Sequence, residues 1–339
     1  MAKYKVLVLM HKSLIPPEDF TEEEYLSADW KTEYDVMETL RELGHTVHPL
    51  GIVGNLELLR NALDEFKPHI VFNLLEEFDG NPTFDQHIVS YLELKRQAYT
   101  GCNPRGLTLA RDKALSKKIL TFHRIPVPKF FVFPKNQKIK ETKKFFYPLI
   151  VKTTTEEAST GIAQASVVNN FEALKERVEF IHETYGTDVI AEQYIKGREL
   201  YVGIFGNKRV TTLPVWELEF TQMPKGVKKF ATEKVKWDDK YREKYGIRSI
   251  RAANLSEQET EKLKILTKKA YKALGLSGYA RMDFRFDENG KAYVLEANPN
   301  PGIQCGDEFP ESAEAYGLKY KDLISKLITL GISWNKNRH

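Results

Sequence analysis

The sequence holds only two cysteines, Cys102 and Cys305, in 339 residues. Two cannot build a disulfide framework and their spacing matches no metal-ligand pattern, which suits a reducing compartment. No stretch approaches the ~18 consecutive apolar residues of a membrane-spanning helix. The opening MAKYKVLVLM is too short in its apolar part for a signal peptide and runs on into charged sequence, so a cytoplasmic protein is expected. Internal repeats and low-complexity segments are absent, and so is any strong excess of one charge. A net +4 on a chain that is 29% charged gives no ground for nucleic acid or a membrane surface as partner. Lysines do gather at Lys135 to Lys144 and Lys225 to Lys244, where they read as solvated faces or loops. What is present is an ordinary globular composition, long enough for two or three subdomains with cores of their own.

Apolar runs at Tyr4 to Met10 and His69 to Leu74 read as buried strands, with a further strand at Thr46 to Leu50 and helices at Glu33 to Leu43 and Leu56 to Phe66. Strands alternating with helices predict a doubly wound parallel sheet over the first hundred residues, with ligands at the carboxyl ends of its strands. Leu75 to Pro82 is such a strand-end loop, and Glu76 in it is a candidate substrate contact. Leu107 to His123 is predicted as one helix. Pro148 to Lys152 is an apolar strand ending in a lysine, which delivers a cation to a fixed place. After it come hydroxyl and small residues up to Gly161, suited to covering phosphates. Asn170 is expected to cap a helix that stops at Gly186, and Ser256 with Glu259 forms a capping box for a helix over Glu257 to Leu274. Val189 to Ile195 reads as a strand whose backbone can meet a purine edge, with Glu192 and Glu199 as its carboxylates. Val227 to Arg251 shows little periodicity and reads as a long ordered loop. Tyr320 to Leu330 is a last amphipathic helix.

The most informative stretch is Gly278 to Gln304. Arg281 to Phe286 and Lys291 to Asn298 alternate polar with apolar around the turn Asp287-Glu288-Asn289-Gly290, a β-hairpin pattern. One register sets Asp283 opposite Glu296 and Arg281 opposite Asn298; the other sets Arg281 opposite Glu296. Both keep Arg281, Asp283, Glu296 and Asn298 on one face, with Met282, Phe284, Phe286, Tyr293 and Leu295 expected on the other. Hard oxygen donors so close together suit Mg²⁺ with nucleotide phosphates. The plainer reading is a sheet face laced with Arg-carboxylate pairs. Pro299-Asn300-Pro301-Gly302 weighs against it, because a rigid loop with close backbone approach directly after these residues is what a substrate needs.

The order YTG, then DK in a helix, IPVP, LIVK, the Ser/Thr loop ending in Gly161, AEQYIKGRE, GYARMDFR and VLEANPNPG resembles the ATP-grasp ligases, most closely the D-alanine-D-alanine ligase group, from about Val71 to Leu330. The resemblance implies an α/β chain, α+β in part, with an ATP-grasp fold. An N-terminal doubly wound α/β domain would occupy 1–104, a central subdomain with the phosphate-covering loop 105–187, and a C-terminal subdomain with the metal and substrate site 188–339. It implies ATP and two Mg²⁺ ions as cofactors, with Mn²⁺ as a substitute. Lys113 and Lys152 would hold phosphates under the loop from Thr154 to Ile162, which contributes Ser159 to catalysis and Thr160 and Gly161 to the nucleotide. Glu192, Tyr194 and Ile195 would line the adenine pocket and Glu199 would meet the ribose. Lys236, with Lys234 as competitor, would be a further phosphate contact. Asp283, Glu296 and Asn298 would hold the metal, and Arg281 would stabilise the transferring phosphoryl group. A small-molecule carboxylate and an amine would be joined through an acyl phosphate by a homodimer that takes neither nucleic acid nor membrane as partner.

The acceptor half departs from that family. His11 to Glu18 stands where a Ser-Glu segment meets the first substrate's amino group, and Leu74 to Gly80 replaces an HG pair and its sequel. Asp307 falls where a serine receives the second substrate's carboxylate, so an acid there would favour a cationic or hydroxylated group. Glu76, Gly302 and Asp307 are the candidate substrate residues. Substrates other than two D-alanines are therefore expected. The rival expectations are a true D-alanine-D-alanine ligase, a non-catalytic nucleotide-binding protein and a small-molecule kinase.

Overall fold

The computed structural model describes residues 2–155 and 161–338 of the chain. Among these, no helix is long and apolar enough to cross a membrane. Strands β1 (Lys5–His11), β2 (Thr46–Ile52) and β3 (Ile70–Asn73) form a parallel sheet in the order β2-β1-β3. All of β1 from Val6 to Met10 is buried because helices cover both of its faces. Val6, Val8 and Met10 pack with the helices Lys31–Glu42 and Tyr320–Arg338, whereas Leu7 and Leu9 pack with Leu56–Phe66 and Asp85–Leu94. The doubly wound expectation is met, with one addition. The last helix runs to Arg338 and lies against this N-terminal sheet as well as against the helix Glu308–Ala315 that precedes it. Gly331 makes that approach possible, since a Cβ there would stand 2.2 Å from the Tyr99 carbonyl oxygen, and Trp334 Nε1 donates to the Tyr99 hydroxyl at 3.1 Å.

Two antiparallel sheets follow. β4 (Phe130–Phe133), β5 (Leu149–Thr153), β6 (Val167–Val168) and β7 (Val189–Gln193) assemble as β4-β7-β5-β6. The helix Phe171–Tyr185 covers one face, capped by Asn170 and ended by Gly186 at φ 67°. β8 (Arg198–Gly206), β9 (Val210–Phe220), β10 (Ile247–Arg251), β11 (Tyr279–Phe286) and β12 (Ala292–Pro299) assemble as β10-β9-β8-β11-β12. The capping box at Ser256 opens the helix Glu257–Ala273 on the back of this sheet.

Three local expectations need correction. The single helix over Leu107 to His123 is two, Pro104–Arg111 and Lys113–Phe122, because Asp112 leaves helical geometry (φ −81°, ψ 103°) and its Oδ1 accepts from the Ala114 and Leu115 amides. That break makes Lys113 a first-turn residue. Val227 to Arg251 is not a loop throughout: it contains the helices Glu233–Trp237 and Asp239–Tyr245 and the edge strand β10, elements too short to show periodicity. In the hairpin, the observed register is Asp283 with Glu296 and Arg281 with Asn298, but a bulge after Asp283 pairs Phe284 with Val294 and leaves Leu295 extra. Ala292, Val294 and Ala297 therefore join Met282, Phe284 and Phe286 in the core. Tyr293 stands opposite Arg285 instead, and Leu295 enters the cleft lining.

Gly331→Ala is expected to cost about 1–3 kcal/mol by forcing the last helix off the N-terminal sheet. The urea midpoint checks it, and an unchanged midpoint would show that helix to be loosely docked.

Candidate active site

The sheets β4-β7-β5-β6 and β10-β9-β8-β11-β12 face each other across a cleft. Sheet alternation supplies its polar lining. On the larger sheet, Glu199 and Tyr201 of β8, Arg281, Asp283 and Arg285 of β11, and Glu296 and Asn298 of β12 share one face, because Glu199 pairs with Arg285, Tyr201 with Asp283, and Asp283 with Glu296. On the smaller sheet, Ile150 and Lys152 of β5 and Glu192 of β7 face the same cleft. Lys113 reaches it from its helix, with Nζ 3.8 Å from Glu296 Oε2, and its own amide donates to Thr154 O at 2.9 Å.

One cavity brings together Lys113, Lys152, Glu192, Tyr194, Ile195, Glu199, Lys236, Asp283 and Glu296, nine side chains expected from the sequence. Apolar walls that the sequence reading missed complete it: Ile150, Phe230 and Leu295, with the Tyr194 and Phe230 rings edge to face at 5.9 Å. Its free volume is only about 50 Å³, against roughly 300 Å³ or more for ligand pockets. Lys236 also lines a second cavity of about 440 Å³ with Arg281, Asn298, Gly302, Asp307 and Glu76. Lys234 is exposed, so of the two competing lysines Lys236 is the one that faces the site.

The loop expected to cover phosphates lies partly outside the described residues. Ser159 and Thr160 lie outside the described residues. Its end, Gly161, has φ 69°, donates its amide to Glu233 Oε2 at 3.2 Å, and accepts from Arg177 Nη2. Glu233 N donates to Ile162 O at 3.1 Å. The loop is thus tied to the helix that carries Lys236.

Lys117, four residues after Lys113 and hence on the same helical face, was also missed. It is completely buried, its Nζ 3.2 Å from Glu192 Oε1, and it donates to the Leu295 carbonyl at the bulge. Lys152 Nζ lies 3.4 Å from Glu192 Oε2. Glu192 thus turns its carboxylate onto two lysines rather than outward. Burial alone would raise Glu192, but Lys117 and Lys152 outweigh it and hold the carboxyl below its usual value. Burial would likewise lower Lys152, and the Glu192, Glu296 and Glu199 carboxylates reverse that. Lys117 has the opposite balance, with burial pulling it down despite Glu192.

Arg281 binds Asp283 through both oxygens (2.8 and 2.9 Å) and Glu308 Oε2 at 2.7 Å, its guanidinium lying over the Tyr201 ring. Glu308, which also accepts from Ser249, carried no signal beyond following Asp307. Arg285 donates to the Gly197 and Lys229 carbonyls at 3.0 and 2.6 Å and lies 3.6 Å from Glu199. Glu199 itself accepts from Ala231 N and the Tyr201 hydroxyl. Burial pushes Asp283 up to about 6 against the pull of Arg281. Glu296 would also rise on burial, but Lys113, Lys236, Lys152 and Lys117 bring it down to about 2.

The donor set accommodates Mg²⁺. Two carboxylates and one amide project from paired strands, and the Asn298 amide has a buried nitrogen, Nδ2, without a partner. Since amide oxygen and nitrogen exchange places on a flip, an oxygen can occupy that position. Among the described residues no cluster of three or more acidic, histidine or cysteine side chains is set to hold a metal alone, so phosphate and water oxygens would complete the shell.

In the acceptor region, Asp307 Oδ2 accepts from Gln304 N at 3.1 Å and comes so near Gly302 that a Cβ there would lie 2.6 Å away. Glu76 is exposed at the rim. Burial, with the Glu76 charge adding to it, pushes Glu33 up to about 7.

Two stability predictions follow from these buried charges. Lys117→Met is expected to cost roughly 3 kcal/mol because Glu192 loses one of its two partners, and adding Glu192→Gln should recover most of it; equal urea midpoints for single and double variants would refute this account. Glu33 binds its proton more tightly folded than unfolded, so the fold loses stability as pH rises from its ordinary value through about 7. Glu33→Gln should accordingly raise Tm near pH 8 and much less near pH 5, and a lower Tm near pH 8 would contradict it.

Residues 119–329 match the family described as the D-ala D-ala ligase C-terminus. The D-alanine-D-alanine ligase of Aquifex aeolicus is 31% identical over 301 residues, covering 88% of this chain and 94% of its own. That of Pelotomaculum thermopropionicum is 30% identical over 258 residues, 73% of this chain and 76% of its own. The crystal structure of D-alanine-D-alanine ligase from Bacillus anthracis complexed with ATP superposes with a TM-score of 0.77 at 22% identity, over 99% of this chain and 100% of that one. The chain belongs to the D-alanine-D-alanine ligase family and is an ATP-dependent carbon-nitrogen ligase of the ATP-grasp fold.

Proposed function

We propose that the enzyme joins a small-molecule carboxylic acid to an amine other than a second D-alanine. The observation that carries this is the division of the site. Lys113, Lys152 and Lys236 gather in one cleft with Asp283 and Glu296, and that cleft opens past Lys236 into a cavity where Asp307 and Glu308 accompany Arg281. The first half suits a triphosphate; in the second, Asp307 and Glu76 stand opposite the cations Arg281, Lys236 and Arg242, so a carboxylate is received at the cationic side and the acidic side disfavours a second one.

In the proposed reaction, Lys113, Lys152 and Lys236 neutralise and position the phosphates. Ile150, Phe230 and Leu295 take the adenine beside Glu192, Tyr194 and Ile195, and Glu199 meets the ribose. Asp283, Glu296 and Asn298 would hold Mg²⁺, or Mn²⁺ in its place, which when bound offsets charge on the phosphate oxygens. A substrate carboxylate oxygen bonds to the γ-phosphorus as the bond to the β-bridging oxygen breaks, leaving ADP. The amine nitrogen then attacks the acyl carbon, the carbon-oxygen bond to phosphate breaks, and the amine loses its proton as inorganic phosphate departs. Arg281 is placed to stabilise charge in both steps. The loop from Thr154 to Ile162, with Ser159, Thr160 and Gly161, would close over the phosphates and keep water from the acyl phosphate. A cytoplasmic homodimer acting on small molecules alone belongs to the same proposal.

Glu296→Ala should abolish Mg²⁺-dependent phosphate release while leaving the fold intact by circular dichroism; near wild-type turnover would remove the metal assignment. Lys236→Met is expected to lower kcat/KM about 100-fold and Lys234→Met by less than about threefold, and the reverse order would exchange their roles. Phosphate release from Mg·ATP, read against a matrix of carboxylic acids and amines with mass spectrometry of products, tests the substrate reading. Efficient formation of the dipeptide from D-alanine alone would overturn it in favour of the activity for which the relatives are named.

A further inference from the structure

Beyond the cavity that holds Arg281 lies a larger one of about 730 Å³ between the N-terminal domain and the loop Asn300 to Asp307. The two share Glu76, Trp237, Asn300, Gly302 and Asp307 in their linings, so they form one continuous space. Charge is divided along it. The inner end sets Arg281, Lys236 and Arg242 against Glu308 and the shared Glu76 and Asp307, whereas the outer one adds Asp29, Glu33 and Glu77 to those shared acids, and its described lining residues include no lysine or arginine. His11 Nε2 lies 3.6 Å from Glu77 Oε1.

Glu33 is the decisive residue. It sits in the first turn of the helix Lys31–Glu42, is only 4% exposed, and its Oε2 has no hydrogen-bond partner. A carboxylate serving only the helix dipole has no need to be buried, and an unpartnered buried carboxylate costs the fold on the order of 1–3 kcal/mol or more. It belongs to the outer cavity and not to the one that holds Arg281. The space is also far larger than an alanine-sized substrate fills. Asp35 binds the Cys305 amide at 2.9 Å and the Tyr25 hydroxyl at 2.7 Å, so the acceptor loop is attached to the helix that bears Glu33.

We propose that this outer cavity receives a second positive charge on the substrate, an ammonium distinct from the reacting amine or α-ammonium, so that one of the joined molecules is of the diamino-acid class and sets its distal cation on Glu33. The inference rests on the ligase reading for the name of the substrate but not for the cation site itself. The carboxylate end of such a molecule faces Arg281 and Lys236; its distal ammonium faces the acids. Glu33 gains the partner it lacks, and desolvation already incurred on folding is recovered on binding.

The test is calorimetric binding of lysine and ornithine, each as both enantiomers, against norleucine, with Mg²⁺ and a non-hydrolysable ATP analogue present. Norleucine has the length and the α-ammonium of lysine without the distal charge. At least one diamino acid should bind ten-fold or more tighter than norleucine. Glu33→Gln should erase that preference, and Glu33→Asp should keep most of it. Equal binding of charged and neutral ligands, no binding of either, or a preference unchanged in Glu33→Gln would overturn the proposal. If Glu33→Gln failed to fold, the wild-type comparison alone would still decide. Phosphate release is read separately: a binding preference without turnover would sink the ligase reading and leave the cation site standing, whereas turnover without preference would do the reverse.

Discussion

Glu192 buried between Lys117 and Lys152 is the contact on which the arrangement of this site depends. A carboxylate in the floor of a β-sheet is tolerable only if paired. Here the pairing draws in a lysine from β5 and another from the helix after Asp112, so one interaction joins the smaller sheet to a helix that packs on the larger one. Lys117 also reaches the Leu295 carbonyl at the hairpin bulge. The cation row and the carboxylate row are in this way held in register across the cleft. A buried ion triad of this kind contributes little net stability but is costly to break, which suits a device whose task is placement.

That placement yields a site with an electrical direction. Lysines and Arg281 concentrate in the cleft and the cavity next to it, and carboxylates dominate the outer cavity. Glu296 stays ionised because four lysines surround it, whereas Asp283 and Glu33 are pushed up by burial with weaker compensation. Like residue types thus take different protonation habits from their surroundings alone. Arg281, bound to Asp283 on one side and Glu308 on the other, sits where the two halves of this field meet.

Much of this was legible in the primary structure. Period-two alternation in Arg281 to Asn298 placed four polar residues on one face whatever the register, and capping residues such as Asn170 and Ser256 marked helix starts that hold in three dimensions. The misses have local physical causes. Asp112 ends one helix and caps the next without a proline or glycine to announce it. The bulge at Leu295 exchanges a core residue for a cleft residue, and no spacing rule forecasts one extra residue in a strand. Lys117 looked like one lysine among many, because burial is a property of the neighbours and not of the residue.

The sequence by itself determined the alternation, the caps, the cations at strand and helix ends, and therefore the family and its nucleotide chemistry, since these depend on spacings of a few residues. Only the tertiary structure decided which register the hairpin takes, that Lys236 rather than Lys234 faces the cleft, that Glu192 turns inward, and that Glu33 joins Asp307 around one acidic space. Those outcomes depend on contacts between residues as far apart as Asp35 and Cys305, and such contacts arise when desolvation and pairing energies are settled for the folded chain as a whole.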